Sequence, residues 1–139
     1  MTSVLLDTHA LIWLLSGNAR LGRRARNAIN KAANENSLLV SAITPWEIAM
    51  LISKNKLTLG QDVGDWIAMA LSQPGIRLAA LIPEIAIAST RLPWDMHADP
   101  ADRIIVATAR HLDAVLITTD QALLGYSKDG HFKTLLAEK

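Results

Sequence analysis

The chain has 139 residues, of which 50% are hydrophobic and 19% are charged, and its formal net charge is +1. This length and composition exclude a wholly disordered protein and predict one domain, residues 1–139, with an aliphatic core. A net charge near zero gives no overall field that attracts a polyanion, so a nucleic acid has to be bound by a local patch or through metal. The chain has no cysteine, which excludes disulfides, a thiol nucleophile and thiolate zinc sites.

The first residues do not have the pattern of a signal peptide. They contain no positively charged region, and the apolar run that follows is broken by Asp7 and His9. No apolar run approaches the roughly 20 residues that span a bilayer. We therefore expect a cytoplasmic protein without a membrane segment.

Apolar runs and helical patterns alternate along the chain. Thr44 is the predicted N-cap of one helix, with Pro45 at its first position. In chain order the patterns predict strand 2–7, helices 10–15 and 20–34, strand 37–41, helices 44–54 and 62–72, strand 76–80, helices 83–91 and 100–112, strand 115–118, helix 119–124 and a last strand near 131–134. The strands are apolar on both faces, which predicts an α/β fold with a central parallel sheet of about four or five strands and helices on both faces.

Five carboxylates lie where these predicted elements begin or end. Asp7 and Asp120 follow apolar strands, whereas Glu47, Asp99 and Asp102 lie at the starts of two helices. In open α/β sheets the ligand crevice lies outside the carboxyl ends of the strands. Carboxylates gathered there repel one another unless a cation lies among them, and oxygen ligands suit Mg²⁺ or Mn²⁺. The pattern therefore favours a metal-dependent enzyme.

Each of these acids also has a purely structural interpretation. Asp7, Asp99 and Asp120 are good helix N-caps. Glu47 suits the third position of a capping box, and Asp102 complements a helix dipole. Spacing alone makes convergence of the acids plausible without establishing it.

Four segments follow one another in a characteristic order, namely Val4–Trp13, Ser41–Ala49, His97–Ala109 and Leu116–Asp120. Together they resemble the motifs of PIN-domain ribonucleases, and more closely those of the VapC-type toxins of bacterial type II toxin–antitoxin modules. No single segment is specific, but the resemblance covers essentially the whole chain.

The resemblance implies a Mg²⁺- or Mn²⁺-dependent endoribonuclease that hydrolyses RNA to 5′-phosphate and 3′-hydroxyl ends. It implies that Asp7, Glu47, Asp102 and Asp120 are the catalytic acids. Asp7, Asp102 and Asp120 are the implied metal ligands, and Asp99 is a further candidate for the metal site.

Side chains near these acids are candidates for supporting roles. Thr8 and Thr119 are possible hydroxyl partners of the acids or of their waters. Arg103 and His97 are candidates for contact with RNA, although an ion pair with a neighbouring acid is an equal alternative for Arg103. Trp94 is a candidate for stacking on an unpaired base.

The resemblance further implies a cognate antitoxin that covers the cleft, and a homodimer. Two other classes of function compete with the nuclease. A non-catalytic PIN-type module that binds RNA or metal is disfavoured by the complete set of acids. A phosphatase or haloacid-type hydrolase needs an Asp-x-Asp nucleophile, whereas Thr8 and His9 follow Asp7 here.

Overall fold

Residues 2–93 and 99–139 are described by the computed structural model of the chain. Its strands are β1 (Val4–Leu6), β2 (Leu38–Ser41), β3 (Ile76–Ala79), β4 (Val115–Thr118) and β5 (Lys133–Leu136). Its helices are α1 (Thr8–Ser16), α2 (Arg23–Asn34), α3 (Thr44–Ser53), α4 (Val63–Leu71), α5 (Pro83–Ala88), α6 (Pro100–Leu112) and α7 (Gln121–Ser127). In these two stretches no helix is long and apolar enough to cross a membrane.

The five strands form one sheet in the order β3-β2-β1-β4-β5, and each neighbouring pair is parallel. The predicted α/β fold is therefore confirmed. The central strand β1 separates two apolar clusters, because successive side chains of a strand point to opposite faces. Val4 and Leu6 pack with residues of α1 to α4, whereas Leu5 packs with residues of α6 and α7. Helices cover both faces, as expected.

Several predicted boundaries were wrong, and the helices predicted at 83–91 and 119–124 are Pro83–Ala88 and Gln121–Ser127. The helix predicted from residue 20 begins at Arg23, because Leu21 forms an antiparallel bridge with Glu138 and Gly22 is the N-cap. The last strand is Lys133–Leu136 instead of residues 131–134. Ile43 is the N-cap of α3, so Thr44 is already helical.

The register of the sheet determines which residues lie side by side just after the carboxyl ends of the strands. Leu6 at the end of β1 pairs with Ile117 of β4. The residues that follow, Asp7 and Thr118, therefore lie next to each other at the carboxyl edge. On the other side Leu6 pairs with Val40 of β2. The starts of α1, α3 and α7 thus lie near the same edge of the sheet.

Gly75 precedes β3 with a φ of 83° and lies against the backbone of Ala33 at the end of α2. A Cβ atom at this position would overlap the Ala33 carbonyl, and a left-handed conformation itself costs an L-residue about 1–2 kcal/mol. We expect Gly75→Ala to lower the free energy of unfolding by at least about 2 kcal/mol, as measured by urea denaturation.

Gly125→Ala is the matched control. Gly125 lies within α7, and no atom lies within 4 Å of the position that its Cβ would take. Alanine should therefore raise the free energy of unfolding by about 0.5–1 kcal/mol. An unchanged stability of Gly75→Ala would contradict the close approach of the two backbones.

Candidate functional site

Asp7 joins β1 to α1 and is held by two hydrogen bonds. Its Oδ1 accepts from the backbone N–H of Thr8 at 2.8 Å, and its Oδ2 accepts from Oγ1 of Thr118 at 2.6 Å. Burial raises the pKa of Asp7 above its usual range. The hydrogen bonds from Thr118 and Thr8 lower this pKa, the charge of Asp120 raises it, and His9 lowers it.

Glu47 lies in the first turn of α3 and reaches towards α1. Its Oε1 accepts a hydrogen bond from Oγ1 of Thr8 at 2.7 Å, across 39 positions of sequence. Burial raises the pKa of Glu47 to about 7; the bond from Thr8 lowers it, and the charges of Asp7 and Asp99 raise it. Thr8 therefore links Glu47 to Asp7, which is a different role for Glu47 from the capping box considered above.

Asp99 and Asp102 lie at the start of α6. Asp99 is the N-cap, and its Oδ1 accepts from the backbone N–H of Asp102 at 2.9 Å. Burial raises the pKa of Asp102 to about 8, with further increases from the charges of Asp99, Asp7, Glu47 and Asp120 in that order. None of the described side chains or N–H groups lowers the pKa of Asp102 through a hydrogen bond. Its carboxylate is the least compensated of the five.

Asp120 is the N-cap of α7. Its Oδ1 accepts from the backbone N–H groups of Ala122 at 2.8 Å and Leu123 at 3.2 Å. Its own N–H donates to Oγ1 of Thr118 at 3.0 Å, and the same hydroxyl donates to Asp7. The buried hydroxyl of Thr118 therefore fixes the relative positions of Asp7 and Asp120.

The structural and functional interpretations of these acids are compatible. Asp7, Asp99 and Asp120 are N-caps, as the structural interpretation predicted. Beside burial, the charges of Asp7 and Asp99 raise the pKa values of both Glu47 and Asp102, and the charge of Asp120 raises that of Asp102, so these carboxylates lie near one another. Four helix starts thus bring the acids together, and we call these five residues the acidic cluster.

The acidic cluster suits a hard divalent cation in its chemistry, because every side chain in it is an oxygen ligand. In this arrangement, however, no three His, Asp or Glu side chains within residues 2–93 and 99–139 are close enough to hold one ion. An ion held directly by three of these carboxylates therefore requires them to draw together. We expect the Asp102 carboxylate to rotate towards a bound cation, because the charges of four other carboxylates repel it.

The hydroxyl partners of the acids were predicted only in part. Thr8 is such a partner, through its bond to Glu47. On β4 the partner is Thr118 instead of the predicted Thr119, because Thr118 lies beside Asp7 in the register of the sheet.

The predicted RNA-contacting residues are less well defined by the structure. Arg103 follows Asp102 in the first turn of α6 and is partly buried. Trp94 and His97 lie outside the described residues.

A groove with a volume of about 390 Å³ opens beside the acidic cluster, between α3 and the start of α6. No local sequence pattern indicates this groove. Its wall includes Trp46, Glu47, Lys54, Lys56, Asp99 and Pro100. Glu47 and Asp99 belong to the acidic cluster, so the groove and the cluster share a boundary.

Known proteins resemble this chain in sequence and in structure. Over 123 residues it is 34% identical to Ribonuclease VapC22 of Mycobacterium tuberculosis (strain ATCC 25618 / H37Rv), which covers 88% of this chain and 91% of that protein. A toxin–antitoxin complex from Klebsiella pneumoniae contains a chain that is 25% identical, with a TM-score of 0.64 and 99% of both chains covered.

The structure of VapBC2 from Rickettsia felis, bound to a DNA fragment from its promoter, contains a further similar chain. It has a TM-score of 0.71 at 14% identity, with 97% of this chain and 98% of that chain covered. At this identity the likeness concerns the fold alone. The PIN domain family model matches residues 4–128, and the chain therefore belongs to the PIN-domain family.

Proposed function

We propose that this protein is a Mg²⁺- or Mn²⁺-dependent endoribonuclease and the toxin of a toxin–antitoxin pair. It hydrolyses RNA to 5′-phosphate and 3′-hydroxyl ends, and residues 1–139 form one nuclease domain. The observation that carries the proposal is the acidic cluster, in which the pKa values of Glu47 and Asp102 rise to about 7 and about 8 at one edge of a parallel sheet. The 34% identity to a protein named a ribonuclease supports RNA as the substrate.

In this proposal Asp7, Asp102 and Asp120 hold the cation, and Asp99 is an additional ligand. A bound cation supplies binding of the scissile phosphate and a lower pKa for the attacking water. Asp7 is kept in position by its bonds from Thr8 and Thr118. These bonds restrict the rotation of the Asp7 side chain. We therefore expect that no neighbouring carboxylate can take over its role as a ligand.

Glu47 orients the attacking water in this mechanism. Its Oε1 is occupied by the hydroxyl of Thr8, which leaves Oε2 to accept a hydrogen bond from water. A pKa of about 7 for Glu47 suits a group that takes up a proton near neutral pH. Thr8 acts as a positioning residue for this carboxylate.

The proposed protein partner is a cognate antitoxin, and the proposed assembly is a homodimer in the cytoplasm. A structurally similar chain occurs in a toxin–antitoxin complex. A basic side chain from an antitoxin would relieve the same repulsion among the acids that favours a cation. Antitoxin and metal would then compete for one site.

The catalytic role of the acidic cluster is tested most simply with Asp7→Asn. This change keeps the shape of the side chain but removes one charge from the proposed metal site. We expect a folded protein whose cleavage of total cellular RNA with Mg²⁺ or Mn²⁺ falls by at least about a hundredfold. Fragments from the wild-type protein should carry 5′-phosphate and 3′-hydroxyl ends, and a chelator should abolish them.

Asp129→Asn is the control, because Asp129 is exposed beyond the end of α7 and outside the acidic cluster. It should cleave RNA like the wild type. An Asp7→Asn protein that is folded and fully active would place the reaction elsewhere. An unfolded one would mean that the Asp7 carboxylate, with its bonds from Thr8 and Thr118, is needed for folding.

The raised pKa values also predict how stability depends on pH. Glu47 and Asp102 have pKa values of about 7 and about 8 in the folded protein, against ordinary values of 4.5 and 3.8. The folded state therefore binds protons more tightly than the unfolded state. Their contribution to folding is complete only below the ordinary values of 4.5 and 3.8, and it is lost as the pH rises from there through about 7 for Glu47 and about 8 for Asp102.

Asp102→Asn should reduce this loss, because it removes one of the repelling charges. Without divalent metal we expect it to raise the free energy of unfolding by about 1 kcal/mol or more at about pH 9 and to have a much smaller effect at about pH 4. Mg²⁺ should stabilise the wild type at about pH 9, and the variant much less. Thermal unfolding at constant ionic strength measures both effects; the same response from Asp129→Asn would contradict the assignment.

A further inference from the structure

Trp46 differs in its environment from the other two tryptophans among residues 2–93 and 99–139. Trp13 and Trp66 are 8% and 5% exposed and lie in the core, whereas Trp46 is 55% exposed. Its neighbours on α3, Thr44 and Ile48, are fully buried. The helix is therefore anchored by its other face, and packing does not account for a large aromatic ring at position 46.

The groove beside Trp46 has charges of opposite sign at its two ends. Glu47 and Asp99 of the acidic cluster lie at one end, and the exposed Lys54 and Lys56 lie near the C-terminal end of α3. Trp46 and Lys54 are eight positions apart, which corresponds to about 12 Å along a helix. A chain that carries phosphates can pass from the acids to the lysines with an aromatic surface between them.

We propose that this groove binds an unpaired RNA nucleotide next to the scissile phosphate, with its base stacked on Trp46 and its neighbouring phosphates close to Lys54 and Lys56. The inference rests on the proposed nuclease function and assigns Trp46, Lys54 and Lys56 to the binding of its substrate. Stacking on an aromatic ring tolerates any base, since every base has a π-face. Trp46 therefore selects for an unpaired nucleotide and not for a sequence.

The charges favour a nucleotide over a peptide as the occupant. A groove with acids at one end and lysines at the other suits a ligand that carries several phosphates. One phosphate would bind through a metal at the acids, and the next phosphates would lie close to the lysines. An apolar side chain from a protein could pack on the ring of Trp46. It would make no favourable electrostatic contact with Lys54 or Lys56.

The first experiment measures binding with cleavage suppressed. Anisotropy of a labelled, random-sequence single-stranded RNA is recorded with Mg²⁺ on the full chain carrying Asp7→Asn. Adding Trp46→Ala should weaken binding between about fivefold and about a hundredfold, whereas Trp46→Phe, which keeps a ring, should have a smaller effect. Ile87→Ala truncates another exposed apolar side chain, 51% exposed on α5, and should leave binding unchanged.

The second experiment tests the lysines through the salt dependence of the same binding. Lys54→Ala and Lys56→Ala should each reduce the slope of log affinity against log salt by about 0.7. Lys31→Ala is the matched control, because Lys31 lies beside Thr2 and Val115 at the opposite edge of the sheet. It should leave the slope unchanged.

The third experiment measures cleavage of RNA by proteins with an intact acidic cluster. Trp46→Ala should lower kcat/KM by a factor similar to its loss in binding, mainly through KM, and a duplex competitor should bind both proteins equally. RNA binding that does not depend on Trp46 overturns the groove proposal. A protein that binds RNA through Trp46 but never cleaves it overturns the nuclease proposal instead, so the two failures are distinguishable.

Discussion

Five carboxylates from four helix starts lie at one edge of a parallel sheet, and their repulsion is the constraint on which the site depends. The sheet brings Asp7 and Asp120 together through Thr118, while Thr8 brings in Glu47. Helix N–H groups compensate part of the charge on Asp7, Asp99 and Asp120. Burial and the repulsion that remains together raise the pKa of Asp102, and a divalent cation is a direct way to relieve that repulsion.

The architecture was predictable because its strands are apolar on both faces, a pattern that a parallel sheet between two helical layers requires. Local signals also placed most helices, including α1 with its C-cap at Gly17 and α6 with Pro100 in its first turn. The errors in the boundaries arose where contacts between residues distant in sequence determine where an element begins or ends. Leu21 lies outside α2 because it pairs with Glu138, and no local sequence pattern indicates this partner.

The position of these acids was predictable for a physical reason: each caps or begins a helix at the carboxyl edge of the sheet, where ligands bind in open α/β folds. Of their hydroxyl partners, Thr8 was predicted and Thr118 was not. The choice of Thr118 over Thr119 follows from the pairing of Leu6 with Ile117, and register depends on the whole sheet. The exposure of Trp46 and the groove beside it depend on how α3 and the start of α6 pack.

The most direct test of this account is a crystal structure with Mn²⁺, in which the ion is located by its anomalous scattering. The account predicts Mn²⁺ at the carboxyl edge of the sheet, ligated by Asp7, Asp102 and Asp120 at about 2.0–2.3 Å, with the Asp102 carboxylate turned towards it. The bond from Thr118 to Asp7 should be retained. No Mn²⁺ at these acids under saturating conditions, or Mn²⁺ bound only elsewhere, would contradict the central claim that carboxylate repulsion prepares this edge for a cation.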